Sequence, residues 1–327
     1  TVNMEEGALG AVTDNPWYGR TLNPWSGDGE ALTPGGSSGG SGAAVAAGLC
    51  VMALGTDTMG SVRIPAAYCG VSGLKPSRGL VPTDGVIALS TTLDHVGPLT
   101  RSARDLAAFT SALSGKPERV ERGLTGLRIG RWRFEDHMPA DPEVMAAFEI
   151  ACARLDDAGA QIVDVKPQAY EYGRTRRRGL LISEIEGHDV HAEALRDDAK
   201  GFSEHFRRLL DWGAAQPAEK ARAAYAAVKA VEDDAVRWFA DVDLVVAPTA
   251  LEPAFPFGED VPAGQADLTA FADMAGVPAA AVPMGLSKAG RPLSIQFLAA
   301  QGQDGLAMKA ARQFEVLTGG PFIPPGY

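Results

Sequence analysis

Two glycine- and serine-rich loops on either side of one apolar run constrain this sequence more than any other feature. The loops are Gly35–Gly42 and Thr56–Ser61, and the run between them is Ala43–Leu54. Glycine allows positive φ and close approach of two backbones, so consecutive peptide N–H groups in such loops can converge on one point. The stretch therefore predicts an anion or oxyanion site that is built from main chain.

The secondary structure predicted around these loops places Ser61 where a strand ends and a helix begins. Small residues at Ser41–Gly48 favour a closely packed helix, and the apolar run Leu49–Leu54 predicts a buried strand. A short helix is predicted at Ile64–Gly70. Strand-to-helix junctions are usual positions for catalytic residues in α/β sheets, so Ser61 is a candidate catalytic residue.

Predicted strands and helices alternate along the whole sequence, which indicates the α/β class. We expect a mixed β-sheet core with helices on both faces. We find no internal repeat and no low-complexity linker, so a single domain spanning residues 1–327 is expected.

Composition argues against several classes of function. The 327 residues carry a net charge of −11, which disfavours nucleic acid and anionic membrane as partners. No apolar run is long enough to span a bilayer. The three cysteines match no zinc spacing, and no cluster of histidines and carboxylates indicates a metal, so neither metal nor cofactor is expected. An odd number of cysteines fits a reducing cytoplasm.

Two motifs give this chain a specific resemblance. The sequences GGSSGGSGAAVAAG at 35–48 and LGTDTMGSVRIPAAYCGVSGLKP at 54–76 resemble the amidase signature family, whose members hydrolyse carboxylic amides through a Ser–cis-Ser–Lys triad. The similarity continues at Thr1–Gly10, Leu93–Ala107 and Ala275–Gly285. The resemblance implies a serine hydrolase that cleaves a C–N bond through an acyl-enzyme and releases ammonia or an amine.

The resemblance also implies how the domain is divided. Residues 1–135 and 241–327 would form the family's core. A divergent helical region at about 170–240 would cover the substrate pocket. Compared with the family, the fold would be incomplete at its N-terminal side.

The resemblance assigns roles to individual residues. Ser61 matches the nucleophile, and Ser37 matches the bridging serine, whose preceding bond Gly36–Ser37 is cis in the family. The oxyanion hole would be formed by the amides of Thr58, Met59, Gly60 and Ser61.

Met4 and Arg63 are the candidates for the substrate pocket, and Arg63 would contact an anionic substrate. An ion pair between Asp57 and Arg63 that fixes the loop is the competing interpretation of Arg63. The expected substrate is a small neutral or acidic amide.

The catalytic lysine is the main departure from the family pattern. In the family it precedes the segment that resembles Thr1–Gly10, whereas the first lysine here is Lys75, in a segment that the family uses structurally. Because a serine hydroxyl needs a base, this chain alone is expected to be inactive or impaired. Either an exposed apolar patch or a serine pair open to solvent is expected where further chain would pack.

Other interpretations remain open at the level of sequence. The chain could be the amidase-like subunit of a glutamine-dependent amidotransferase, a homodimer, or an inactive fragment. Gly36–Gly40 satisfies a nucleophile-elbow pattern, although no strand is predicted directly before it. Ser72–Lys75 matches a Ser-x-x-Lys pattern, but its companion motifs are absent from the sequence. Lys75 could also serve as a substitute base.

Overall fold

A mixed eight-stranded β-sheet forms the centre of the molecule. The structure, a computed structural model, describes residues 1–27, 30–117 and 123–327. Within these ranges the sheet order is β3-β5-β4-β9-β10-β8-β6-β7, and β1 and β2 form a separate hairpin. The strands are β1 (Asp14–Asn15), β2 (Gly19–Arg20), β3 (Met52–Asp57), β4 (Ser72–Lys75), β5 (His95–Thr100), β6 (Arg128–Trp132), β7 (Gln161–Val165), β8 (Leu244–Pro248), β9 (Ala279–Leu286) and β10 (Pro292–Ala299).

The helices surround this sheet. They are α1 (Gly39–Ala46), α2 (Arg63–Cys69), α3 (Ala103–Ser114), α4 (Pro142–Asp157), α5 (Gly173–Asp197), α6 (Glu204–Ala214), α7 (Ala218–Asp241), α8 (Ala270–Ala275) and α9 (Asp304–Leu317). Short 3₁₀ turns lie at Glu6–Ala8 and Ala199–Gly201. No helix within the described ranges has both the length and the apolar character needed to cross a bilayer.

Successive residues of β9 show that both faces of the sheet are covered. Ala281 belongs to the small-residue cluster that α1 and α2 form on one face. Ala280 and Val282 belong to the large aromatic and aliphatic core on the other face. Because side chains alternate across a strand, this pattern places helices on both sides of the sheet. The predicted fold class, a mixed sheet with flanking helices, is confirmed.

Strand β3 differs from its prediction in both position and burial. The sequence predicted a buried strand at Leu49–Leu54, whereas β3 begins at Met52 and ends at Asp57. It is an edge strand that pairs only with β5. Leu49 and Val51 are 79% and 81% exposed, and Leu54 is also exposed. An apolar run indicates hydrophobicity but does not indicate which element will cover it. In this structure no described residue covers this edge.

Helix α5 packs against both α6 and α7, and α7 packs on α8. This layer comes from the region predicted to be charged and helical. It places residues of α5 and α6 opposite the turn that contains Ser61, where both helices contribute walls to one cavity.

Candidate functional site

A tight turn joins β3 to α2 and carries Ser61. Two hydrogen bonds from outside the turn hold it: Thr58 Oγ1 donates to Asp94 Oδ1 at 2.7 Å, and Thr269 Oγ1 donates to the carbonyl of Met59 at 2.7 Å. Gly60 has φ +134°, and a Cβ at this position would lie 2.3 Å from Thr269 Oγ1. The turn therefore requires glycine directly before Ser61, because a side chain there would meet both backbone strain and a clash.

A fully buried ionic network lies beneath the turn. Arg63 donates to both oxygens of Asp57 at 3.0 and 3.1 Å, to Asp273 Oδ2 at 2.6 Å and to Gln296 Oε1 at 2.9 Å. Burial alone would raise the pKa of the Asp57 carboxyl, but the charge and hydrogen bonds of Arg63 hold it below its ordinary range. Burial and the nearby charge of Asp57 raise the pKa of Asp273. The network ties α2, α8 and β10 to the turn.

This network corrects the assignment of Arg63 to the substrate pocket. Its side chain is fully buried, and Asp57, Asp273 and Gln296 occupy its donors. The competing interpretation, an ion pair with Asp57 that fixes the loop, agrees with the structure. A guanidinium in such a site is not available to an anionic substrate.

The four amides predicted for the oxyanion hole are not equivalent. The amide of Gly60 donates to Asp57 Oδ1, so Gly60 is not a free donor, and this part of the prediction is wrong. Among the described residues, the amides of Thr58, Met59 and Ser61 donate no hydrogen bond. Asp57 accepts the amide of Gly60 and thereby fixes the turn. Three of the four predicted amides remain available to an oxyanion.

The glycine loop before α1 approaches the same turn from the other side. The peptide bond Gly36–Ser37 is cis. The amide of Ser38 donates to the carbonyl of Ser61 at 3.2 Å, which joins the two loops through main chain. The carbonyl of Ser37 accepts the amide of Glu5 at 3.1 Å and Thr13 Oγ1 at 3.3 Å. The backbone of Ser37 is therefore fixed by the N-terminal segment.

The hydroxyl of Ser37 has no partner. Its Oγ is buried and makes no hydrogen bond to any described residue, including Ser61. Ser37 is fully buried, whereas Ser61 is half-buried. The expected serine pair open to solvent is therefore not observed. The expected exposed apolar surface is present instead, at Leu49 and Val51 directly before β3 and at Leu54 on β3.

A cavity of about 510 Å³ opens above the turn. Ser61, Thr58, Met59 and Gly36 form one wall. The other walls include residues of α5 and α6, the N-terminal segment 8–12, and residues 261–263 and 265–266. Met4 lies elsewhere. It faces a neighbouring cavity of about 670 Å³, together with Ser38 and Ser41, so the structure separates it from Ser61 and does not support its predicted place in the pocket of the nucleophile.

Lys75 does not reach this cavity. Its side chain is fully buried, and its Nζ donates to the carbonyl of Pro76 at 2.8 Å. Burial lowers the pKa of Lys75 to about 7. The charge of nearby Asp273 acts against this lowering, and the charge of nearby Arg63 adds to it. Although this ammonium has the lowered pKa that a base requires, it lies close to the charges of the ionic network beneath the turn and does not line the cavity.

The other serine motifs do not form competing sites. Ser38 Oγ donates to the carbonyl of Thr56 at 3.3 Å and accepts a hydrogen bond from the amide of Thr56 at 3.2 Å. No strand directly precedes Ser38. Ser72 lies in the buried strand β4, away from both cavities. The nucleophile-elbow and Ser-x-x-Lys patterns are therefore not matched by the structure around them.

One polar residue of the cavity was missed at the sequence level. Glu184, on α5, lines the cavity although its side chain is only 3% exposed, and burial raises its pKa to about 7. Its Oε2 has no hydrogen-bond partner among the described residues. The only local signal was the spacing SEIE at Ser183–Glu186: a helix directs carboxylates two positions apart to different faces, so the two could lie in different environments.

Known proteins resemble this chain over almost its full length. The family described as Amidase matches residues 1–308. A glutamyl-tRNA(Gln) amidotransferase subunit of Synechococcus sp. (strain CC9311) is 35% identical over 96% of this chain and 72% of its own length. A solved structure described as an amidase has a TM-score of 0.87 at 32% identity and covers 96% of this chain and 73% of its own. The corresponding glutamyl-tRNA(Gln) amidotransferase subunit of Thermotoga maritima has a TM-score of 0.81 at 30% identity, covering 96% and 72%.

Proposed function

Since this chain belongs to the amidase signature family, we propose that it cleaves a carboxylic amide C–N bond through an acyl-enzyme on Ser61. The observation that carries the proposal is the position of Ser61. This half-buried residue borders the cavity, on a turn whose amides at Thr58, Met59 and Ser61 donate no hydrogen bond to any described residue. A main-chain site of this kind stabilises the negative charge that develops on a carbonyl oxygen under attack.

In the proposed reaction Ser61 Oγ attacks the amide carbonyl and passes its proton towards Ser37. The tetrahedral intermediate places its oxyanion on the free amides of the turn. The proton then moves to the departing nitrogen, the C–N bond breaks, and ammonia or an amine leaves. Water attacks the remaining ester, and the acid is released together with free Ser61.

The proton of Ser61 needs a final acceptor. Among the described residues no lysine lines the cavity, and the buried Ser37 Oγ makes no hydrogen bond. We assign this acceptor to a neutral lysine outside the present sequence, which would hydrogen-bond Ser37. The polypeptide that carries it would pack on the exposed apolar surface formed by Leu49 and Val51, which directly precede β3, and by Leu54 on the edge strand β3. A buried polar atom without a partner and an uncovered apolar edge both support this assignment.

Ammonia release from small primary amides tests the proposal. The chain is compared alone and fused to the segment that precedes the matching region in an amidase relative, each with a Ser61→Ala control. The fusion is expected to turn over in a Ser61-dependent manner, and the chain alone to be slower by about 10²–10⁴-fold, the usual contribution of a positioned base. Rapid Ser61-dependent turnover by the chain alone would refute the claim that a further lysine is needed as the base. An inactive, folded fusion would refute the hydrolase.

A second candidate function is the amidase-like subunit of a glutamine-dependent amidotransferase. It is favoured by the curated relatives at 32–35% identity, which are described as subunits of glutamyl-tRNA(Gln) amidotransferases. In that case glutamine would be the amide, and the ammonia would pass to a partner subunit. Glutaminase activity that appears only with purified partner subunits from such a complex would favour this function. Equal activity without them would exclude it.

A further inference from the structure

Glu184 is a buried polar residue of the cavity that the proposed reaction does not use, and its Oε2 has no hydrogen-bond partner among the described residues. It lies in the middle of α5, and a Cβ at Gly213 would lie 2.5 Å from the Cβ of Glu184, so the backbone of α6 packs directly on its stem. This packing fixes the side chain against the wall of the cavity that also contains Ser61. The Glu184 carboxyl is therefore held in place by apolar and backbone contacts alone.

Its neighbour Glu186 shows what a structural carboxylate on this helix looks like. Glu186 accepts hydrogen bonds from Ser90 Oγ, from the amide and hydroxyl of Thr92 and from Tyr225 Oη. No hydrogen bond or ion pair to a described residue is made by the side chain of Glu184. Burial of a carboxyl without any partner is costly, so its presence on a cavity wall points to a ligand.

The charges around the cavity favour a cationic ligand over an anionic one. Besides Glu184, the titratable side chains that line it are Glu5, His205 and Arg176. Arg176 is already paired, with its Nε 2.6 Å from Asp267 Oδ1 and its Nη2 donating to the carbonyl of Ala263 at 2.7 Å. The prediction of an acidic substrate depended on Arg63, which is sealed beneath the turn.

We propose that Glu184 is a specificity-determining residue that pairs with a protonated amine on the substrate, at the end remote from the amide that Ser61 attacks. This inference rests on the proposed function for the identity of the reacting group but makes its own prediction about binding. Pairing with an ammonium would satisfy the buried carboxyl and convert it to carboxylate. A neutral alkyl group at the same place would leave it unsatisfied.

Two isosteric amides test this inference. In 5-aminopentanamide the chain ends in an ammonium, and in hexanamide it ends in a methyl group. Their affinities are measured at pH 8 by calorimetry on the full 327-residue chain with Ser61→Ala, so that neither ligand is consumed. Binding of 5-aminopentanamide is expected to be at least about tenfold tighter than that of hexanamide, as for a charge-assisted hydrogen bond that only one ligand makes.

Two carboxylates of the same helix supply the variants. Glu184→Gln removes the charge and keeps the size, so the preference for the ammonium should disappear. Glu193→Gln makes the same change at an exposed position of α5 and should leave the preference intact. Equal affinity for the two amides, binding of neither, or a preference that survives Glu184→Gln would each overturn the inference.

A ¹³C NMR measurement on the chain that keeps Glu184 tests the same inference without relying on the folding of a variant at position 184. The ¹³C resonance of the Glu184 carboxyl should move towards its ionised value at pH 6.5 when 5-aminopentanamide is added, and not with hexanamide. An unchanged resonance would overturn the inference. Failure of the proposed function is separate: Ser61-dependent hydrolysis without any cation preference defeats only this inference, whereas cation preference without hydrolysis by the fused chain defeats only the proposed reaction.

Discussion

The two sides of the turn that carries Ser61 differ in how their buried polar groups are satisfied. Beneath the turn, Asp57, Arg63 and Asp273 form a network whose charges are paired at 2.6–3.1 Å. Within this network only Asp273 Oδ1 makes no hydrogen bond to a described residue, and it lies 3.5 Å from His95 Nδ1. Glu184 Oε2, on the cavity wall, and Ser37 Oγ, next to the wall residue Gly36, are also buried and have no charged or hydrogen-bonded partner among the described residues. Since burying an unpaired polar group is costly, the paired side is suited to hold the turn and the unpaired side to receive a ligand or a catalytic group.

The largest expected effect lies on the paired side. Arg63→Met would leave Asp57 and Asp273 buried without their countercharge, so the free energy of unfolding should fall by about 3–5 kcal/mol, as when one partner of a buried ion pair is removed. Urea unfolding monitored by circular dichroism measures this loss. Arg174→Met, at an exposed arginine that pairs with the exposed Glu171, serves as the control and should cost much less. Equal losses in the two variants would remove the distinction between the sides of the turn.

The adjacent serines Ser37 and Ser38 sharpen the comparison, because only one of them is paired. Ser37→Ala removes no hydrogen bond, so the free energy of unfolding should stay within about 0.5 kcal/mol. Activity of the fused, complete enzyme should nevertheless fall by about 10²–10⁴-fold, since the proton path would be broken.

Ser38→Ala should show the opposite behaviour. It removes hydrogen bonds to the backbone of Thr56 and should cost about 1 kcal/mol of stability with a smaller loss of activity. Parallel measurements of ammonia release and urea unfolding on both variants check this pair. A Ser37→Ala enzyme with full activity would contradict the role given to the unpaired hydroxyl.

A smaller, pH-dependent effect is expected at Glu184. Burial raises its folded-state pKa from 4.5 to about 7, so its contribution to stability is present below pH 4.5 and is lost as the pH rises through 7. Glu184→Gln should therefore gain stability relative to the parent chain between about pH 5 and pH 8. The difference should stop growing at higher pH.

Urea unfolding at several pH values across this interval measures that difference. Glu193→Gln, at an exposed position on the same helix, provides the reference and should follow the parent chain. Parallel curves for Glu184→Gln and the parent chain would show that the Glu184 carboxyl is not an unpaired buried group.

The smallest expected effect concerns Met59, beside the free amides. A Cβ at Gly179 of α5 would lie 3.1 Å from Met59 Sδ, so this side chain fills the space between the turn and α5. Met59→Ala should enlarge the space next to Ser61 and improve kcat/KM for branched acyl amides several-fold relative to linear ones, because a few methylene-sized volumes are involved. An unchanged ratio of kcat/KM values in the fused enzyme would show that Met59 does not border the acyl group.

Prediction from sequence succeeded where the structure depends on neighbouring residues. The helix predicted at Ser41–Gly48 is observed as α1, and the helix predicted at Ile64–Gly70 is observed as α2, with boundaries shifted by one or two residues. The ion pair of Asp57 and Arg63 joins residues six positions apart, across one turn and the start of one helix. Local spacing is sufficient to specify such features.

Prediction failed where distant segments decide burial. The run at Leu49–Leu54 was expected to be covered, but the sequence cannot state how many strands lie beyond it. Met4 was predicted to line the substrate pocket, yet it faces the neighbouring cavity and not the one that contains Ser61. Glu184 was not singled out from its SEIE spacing, and its burial involves the packing of α6, through Gly213, on α5.

The sequence by itself determined the family and the strand–turn–helix that presents Ser61. These features follow from backbone conformation and from side chains a few residues apart. Only the tertiary structure decided which polar groups are buried and hydrogen-bonded, as Arg63 is, and which are buried without a partner among the described residues, as Ser37 Oγ and Glu184 Oε2 are. The reason is physical: a hydrogen-bond partner and the exclusion of water are supplied by segments that are far away in the chain, and no local pattern of residues contains them.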